Sequence, residues 1–492
     1  MHLAPLDALR ALTADTAARL RAHFADVGFT ETLLGQAEDI MASQLDALRL
    51  PFVRWHLERF DTAGADLALM VQYDTPLPEG RARRALGPVH DDVLSLGLVG
   101  RDAEGVYTAR FRITALSGLW FVCDDLAAGG DAAMGPGATT ADLLDLVPEP
   151  CTERFLDVGC GAGTLALLAA ARGADATGTD INPRAIALSE FNATLNGLTA
   201  RFVVGDLLAP VAGEHFDRVV SQPPFVMQRP GGGDATFLFG GPWGDELTQR
   251  LLSALPAVLS PGGVALVRID SLGRPGDPLP TRVRKLVGAA PVDVVTLLTR
   301  GMNLDQLCMG YASLEDPTLG PAYERAARDF RTHVADLGAR NAVQALVCLY
   351  RRRDDRPGGA AVGLPVTTLR RADADTVATL FDALPRAQAP DAALLGLRLA
   401  LHPGAHFTET RDGPDRAEPP KLTLSFAQGL CGESQLSENS LGLLECIVAG
   451  GTLAEAVARY AEMVEAPVAA VTPEALRFVR EGLVRQMLVL AS

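Results

Sequence analysis

Two short stretches of this chain hold residues whose types and spacing suit chemistry. In the first, Gly159, Gly161 and Gly163 follow the apolar run Phe155 to Val158 and lead straight into a helix that begins at Thr164. Glycines permit the tight turn and let a ligand approach the backbone, while the helix start offers unpaired N–H groups. Some twenty residues on, the next strand ends in Asp180, the place from which a carboxylate binds ribose hydroxyls. Two adenosine cofactors fit this plan, a dinucleotide and S-adenosylmethionine. The dinucleotide pattern is G-x-G-x-x-G, whereas here the spacing is G-x-G-x-G, preceded by Asp157. The second stretch is Ser221-Gln222-Pro223-Pro224-Phe225. Each proline ring removes a ladder N–H, so a central strand must stop at about Gln222 and leave an amide, two rigid residues and an aromatic ring at its end.

Such groups need a scaffold that brings strand ends together. From about residue 150 the chain alternates strand and helix, the signature of a parallel sheet covered on both faces. Seven strands are expected, at RFLDVG, DATGTDI, ARFVVGDLL, FDRVVSQ, GGVALVRID, VDVVTLLTR and, after a helical insertion over 303–340, AVQALVCLYRR. A late seventh strand is what a doubly wound α/β fold with a returning antiparallel strand gives. Before this core, residues 1–130 read as amphipathic helices followed by β-rich segments separated by Ser117-Gly118, a helix-then-ribbon order that resembles a winged helix. A Pro/Gly-rich linker at 354–363 precedes an α+β domain over 364–492, for which a winged-helix form is one option. Its helices are expected at SLGLLECIVAGGTLAEAVARYAEMV and TPEALRFVREGLVRQMLVL, the last one capped by Thr472 with Pro473 in its first turn.

LDVGCGAGTLAL, residues 156–167, closely resembles the first motif of class I S-adenosylmethionine-dependent methyltransferases, and LSPGGVALV resembles the approach to their fifth strand. The resemblance spans about 150–351 and implies a Rossmann-like methyltransferase domain over 131–355. It implies a cofactor site made by Asp157, Gly159, Gly161, Gly163 and Ile181, with Asp180 on the ribose and Asp206 beside the adenine. Ser221 to Phe225 falls where the amino-methyltransferases of this class carry Asn-Pro-Pro-Tyr or Asn-Pro-Pro-Phe. By that likeness Gln222 takes the amide role toward an acceptor NH2, Pro223 the carbonyl role and Phe225 the stacking role. On this reading the prolines fix the loop and leave carbonyls without competing N–H groups. Met134 to Leu144 resembles the loop and helix with which glutamine N5-methyltransferases of release factors touch the cofactor, which adds Thr139 to the cofactor site. The small-domain RNA guanine N2-methyltransferases are similar too. Glutamine in place of asparagine is the departure, since the extra methylene moves the amide by up to about 1.5 Å.

Composition narrows the alternatives. The 492-residue chain has room for about three domains. A formal net charge of −16 makes it a poor generic ligand for polyphosphate, and the only basic runs are Arg81, Arg83, Arg84 and Arg351 to Arg353. The seven cysteines are scattered and never in CxxC spacing, which predicts reduced thiols and no zinc site. His402 and His406 flank a Pro-Gly loop without nearby ligands, and no metal is expected. With no leader-like start and no apolar run near 18 residues, a soluble cytoplasmic protein without a membrane partner is expected, its oligomeric state open. The expected activity is methyl transfer to a nitrogen of a peptide, protein or small molecule. The alternatives are an RNA base N-methyltransferase, an O- or C-methyltransferase of a small natural product, and a non-catalytic winged-helix module that binds S-adenosylmethionine.

Overall fold

The computed structural model describes residues 3–38, 46–125, 130–137, 139–232, 235–316, 319–410, 421–426, 430 and 433–491. The chain divides into two compact units: Met1–Val294 with Gly301–Ala361, and Val295–Arg300 with Val362–Ser492.

The first unit is organised by a mostly parallel sheet. Its strands are β1 (Arg154–Val158), β2 (Asp175–Asp180), β3 (Arg201–Val204), β4 (Phe216–Ser221), β5 (Leu259–Leu272), β6 (Val292–Leu298) and β7 (Ala342–Arg351). β3, β2, β1, β4, β5 and β7 lie side by side in that order. All of these neighbours run parallel except β5 and β7, which pair antiparallel over Val264 to Leu272. β6 starts in this unit beside β7, where the Arg352 N–H donates to the Pro291 carbonyl, and passes into the second unit after Val294. This is a Rossmann-like α/β core. The central strands are buried on both faces, as in a sheet covered by helices on either side. Chain order reverses between β1 and β4, and the crevice at the carboxyl ends of such a pair is where doubly wound sheets place their ligands.

The helices follow from the same patterning. α1 (Thr164–Ala171) and α2 (Pro183–Asn196) follow the first two strands, the latter capped by the Asn182 side chain with Pro183 in its first turn. The expected insertion forms α3 (Leu304–Glu315) and α4 (Pro321–Asp336), whose apolar faces share a cluster with Val226, Met227 and Leu272.

The N-terminal helices and hairpins do not stand apart from the sheet. One core runs from Leu20, Phe24 and Phe29 to Ala162, Leu188 and Phe191. The hairpin Arg112–Leu116 with Leu119–Cys123 turns at Ser117 and Gly118, both in the left-handed region, as a two-residue type I′ turn needs. Its second strand would leave backbone groups bare. Instead Asn192 and Asn196 on α2 pair with Val122 and Trp120, each carboxamide accepting the N–H and donating to the carbonyl at 2.7–3.0 Å.

In the second unit, the helices Ala374–Ala387, Glu438–Val448, Leu453–Met463 and Val468–Val484 accompany a pair of short strands, Leu399–Leu401 with Leu488–Leu490. Two sequence expectations are corrected here. Gly450 and Gly451, both left-handed, split the first expected C-terminal helix in two. The last helix begins at Val468 after Pro467, not at Thr472, whose hydroxyl donates to the Val468 carbonyl at 2.7 Å. Pro473 therefore lies inside the helix, and Leu488–Leu490, expected as its end, leaves it to pair as a strand.

Candidate methyl-transfer site

The glycine loop leaves the end of β1 with three glycines in left-handed conformations, each for a different reason. Gly159 faces open space, with no atom within 4 Å of where a Cβ would sit. At Gly161 a Cβ would lie 2.5 Å from the Met134 carbonyl, the same oxygen that accepts the Ala162 N–H at 2.7 Å. At Gly163 it would press on Ser189 and Phe202. Asn192 donates to the Ala162 carbonyl from below, which ties the loop to the N-terminal hairpin.

Two carboxylates serve this loop differently. Asp180 ends β2 and accepts the Gly161 N–H at 2.9 Å on one oxygen and the Asn182 N–H at 2.9 Å on the other. Burial raises its pKa, and the backbone donors oppose that rise. Asp157 is 4% exposed and accepts the Ala166 N–H at 3.2 Å in the first turn of α1. Burial pushes it up to about 7, the Ala166 N–H opposes, and nearby Asp180 adds to the rise. Ile181 stands 59% exposed beside Asp180. Asp206 lies past β3 and pairs with Arg250 at 2.5 Å on the surface.

β4 ends at Ser221, as two successive prolines demand. Ser221 pairs in register with Val158 on one side and Val267 on the other, and its hydroxyl donates to the Val158 carbonyl at 2.8 Å. Gln222 thus leaves the sheet next to Gly159. Its Nε2 donates to the Thr139 hydroxyl at 2.6 Å. Gly244 packs so closely on the Phe225 carbonyl that no side chain fits there, which fixes the loop from its outer side.

Sequence reasoning missed what lies behind Phe225. The Arg268 guanidinium sits over its ring at 5.1 Å and is 1% exposed. It pairs with Asp270 at 2.5 Å and with Asp142 at 3.3 Å, and the Tyr311 hydroxyl of α3 reaches Asp270 at 3.5 Å. Burial raises the Asp270 pKa against the pull of Arg268, and burial likewise holds the Tyr311 phenol protonated. The side chains here, Phe225, Met227, Trp243 and Tyr311 among them, pack without room for a water. The one signal in the sequence was two charges at alternate positions of a strand otherwise apolar, Arg268 and Asp270 in VALVRID.

The methyltransferase small domain model matches residues 135–267. A release factor glutamine methyltransferase of Deinococcus radiodurans is 35% identical over 175 residues, 30% of this chain and 62% of that one. A protein of Methanocaldococcus jannaschii, named for protein N5-glutamine methylation, is 35% identical over 145 residues, 28% of this chain and 72% of that one. The chain belongs to the class I S-adenosylmethionine-dependent methyltransferases, in the small-domain group. A ribosomal RNA small subunit methyltransferase C of Alcanivorax borkumensis is 34% identical over 111 residues, 23% of this chain and 30% of that one. Among solved structures, the 16S rRNA N2 G1207 methyltransferase of T. thermophilus with AdoMet and guanosine is 19% identical, covers 48% of this chain and 64% of its own, and has a TM-score of 0.27. The chain spans 62% and 52% of the length of the first two curated relatives it matches.

S-adenosylmethionine is the cofactor of this methyltransferase family, and the residues present fit it. Gly159 leaves an open cradle at the strand end, a carboxylate stands at the end of β2, and an exposed apolar side chain adjoins it. Among the described residues no group of histidine, cysteine and carboxylate side chains could hold a metal ion, and no helix is long and apolar enough to cross a membrane. The six described cysteines are buried and free, and Cys431 lies outside the described residues.

Proposed function

We propose that this chain methylates a planar NH2 nitrogen, and that the site favours the side-chain carboxamide of a protein glutamine. The observation that carries this reading is the register at the reversal point. Ser221 lies opposite Val158, so the amide, the prolyl carbonyl and the ring emerge beside the glycine loop. S-adenosylmethionine supplies an electrophilic methyl group on sulfur. What remains for the protein is to orient a nitrogen lone pair toward it and keep water away. In this reading Asp180, Ile181, Asp206, Asp157 and the three glycines hold the donor. The Gln222 carboxamide oxygen and the Pro223 carbonyl accept hydrogen bonds from the acceptor NH2. Phe225, with Arg268 over its ring, is the aromatic residue that this reading sets against the acceptor's plane. No His or Glu adjoins Ser221 to Phe225 in the sequence, which suits a nitrogen that needs no prior deprotonation and loses its proton after transfer.

A ribosomal RNA guanine is the second reading, motivated by the RNA-named relatives. Charge argues against it. Arg229, Arg268 and Arg274, which cover the aromatic rings on the acceptor side, each have a carboxylate partner in Glu315, Asp270 and Asp245. Arg81 and Arg84 share the buried Asp66, and Arg83 pairs with Glu79. A phosphate track needs cations free to release counterions. The domain limits 1–130, 131–355 and 364–492, a winged-helix-like role for the N-terminal ribbon in enclosing the acceptor, and a cytoplasmic location belong to the same proposal.

The test is methyl transfer from tritiated S-adenosylmethionine to purified release factors and, separately, to small-subunit ribosomal RNA. A single methyl on a release-factor glutamine, lost in Gln222→Ala while donor affinity stays, is the expected result. Methylated RNA alone would replace the leading reading with the second, and a methylated hydroxyl would remove both.

A further inference from the structure

Glutamine rather than asparagine at position 222 has a physical counterpart 83 residues earlier in the chain. Its Nε2 lies 2.6 Å from the Thr139 hydroxyl, a short contact between two part-buried groups. Thr139 belongs to the segment that lies across the glycine loop, where the Met134 carbonyl accepts the Ala162 N–H. Three residues beyond Thr139, Asp142 reaches Arg268, the guanidinium that covers Phe225. Met134, Thr139 and Asp142 therefore touch, in turn, the cofactor loop, the acceptor amide and the support of the acceptor ring.

We propose that Thr139 is a positioning residue that holds the Gln222 carboxamide with its NH2 turned aside and its oxygen presented to the acceptor nitrogen, and that this tether is why position 222 is glutamine. The inference rests on the reading of residues 221–225 as the acceptor loop. A free primary carboxamide offers an oxygen or an NH2 to the site with little cost to flip, and only the oxygen can accept from an acceptor NH2. In the observed contact the Thr139 hydroxyl accepts from the NH2, which leaves the carboxamide oxygen for the acceptor nitrogen. The extra methylene is spent on reaching Thr139 and need not advance the amide on the acceptor. Asparagine is shorter by about 1.5 Å, which would open the contact to roughly 4 Å, outside hydrogen-bond range. Thr139 thus acts through Gln222, a role distinct from direct contact with the donor.

Two measurements on the full chain test this. The first needs no acceptor: with 15N-labelled glutamine, the Gln222 side-chain NH2 signals, assigned by their disappearance in Gln222→Asn, should exchange slowly in the parent and Thr139→Ser and fast in Thr139→Val. The second uses release factor as acceptor. Thr139→Val should lower kcat by about tenfold or more, with calorimetric affinity for S-adenosylmethionine held within about twofold, and Thr139→Ser should recover most of the rate. In the Thr139→Val background, Gln222→Asn should cost little more, because the tether is already gone. The proposal is overturned if Thr139→Val weakens donor binding as much as turnover, which would make Thr139 a cofactor ligand, or if the NH2 exchange is the same in all three proteins. If the parent methylates no release factor, the acceptor reading fails on its own, and the exchange measurement still decides the tether.

Discussion

The two halves of the site are built by different means. The cofactor half, from β1 through α1 to β2, is made mostly of backbone: left-handed glycines and N–H groups, with the two carboxylates Asp157 and Asp180 that accept from them. The acceptor half, at the ends of β4 and β5, is made of side chains that meet across the chain, Gln222 with Thr139 and Arg268 with Asp142 over a separation of 126 residues. A backbone cradle binds what every member of such a family binds. A side-chain lattice can be rewritten without disturbing it, and the proposed function puts acceptor choice there.

The largest expected effect breaks the acceptor half through its charges. Arg268→Leu leaves Asp270 and Asp142 without their buried counter-charge, and removing one partner of a buried ion pair costs about 3–5 kcal/mol. Urea unfolding should show that loss, and Arg268→Leu with Asp270→Leu should regain a good part of it. If the single variant were as stable as the parent, the cluster would not be what fixes Phe225.

The cofactor half breaks differently. Gly161→Ala should destabilise the fold by about 2–4 kcal/mol, because the new Cβ meets the Met134 carbonyl and the left-handed conformation is strained as well. Gly159→Ala meets nothing and should cost only the left-handed strain of roughly 1–2 kcal/mol, yet it should abolish S-adenosylmethionine binding by calorimetry. Normal affinity in Gly159→Ala would move the ligand away from that glycine.

This contrast also explains what could be read in advance. The seven strands, the break at Gln222 and the helical insertion follow from local periodicity and from proline chemistry, but the third strand ends early, at Val204, and the sheet has an eighth strand, Ala361–Pro365, that starts where a linker was expected. The glycine loop was legible because its reasons are local. Nothing local, by contrast, marks Thr139 as the partner of Gln222 or Asp142 as the partner of Arg268, since the fold alone brings them together. Helix ends in the second unit failed for a related reason. Thr472-Pro473-Glu474 has a sound capping pattern, but Pro467 offers an earlier start and a buried face running from Ala475 to Leu483 carries the helix through.

A smaller effect separates the two carboxylates of the cofactor half by pH. The Asp157 carboxyl is pushed by burial up to about 7 in the folded chain, against about 3.9 when unfolded. Between those values the folded chain keeps a proton that the unfolded chain has released, so this group's contribution falls as pH rises from about 4 to 7 and is constant above. Asp157→Asn removes that slope. The ligand-free variant should be more stable than the parent at pH 8, by roughly 1–3 kcal/mol, and about equal to it near pH 4. Thermal melts at the two pH values read this directly, and an unchanged slope would mean that the buried carboxylate is already compensated.

The smallest effect sharpens the border of the cofactor half. Arg250 and Asp206 are 59% and 46% exposed, and an exposed pair of this kind is worth about 0–1 kcal/mol. Arg250→Ala should therefore leave the unfolding midpoint nearly unchanged. Its use lies in what it releases. The Asp206 oxygen held by Arg250 becomes available to an adenine amino group, so S-adenosylmethionine should bind equally or up to a few-fold more tightly by calorimetry. Weaker binding would place Arg250 itself against the donor and turn Asp206 from a ligand into its counter-ion.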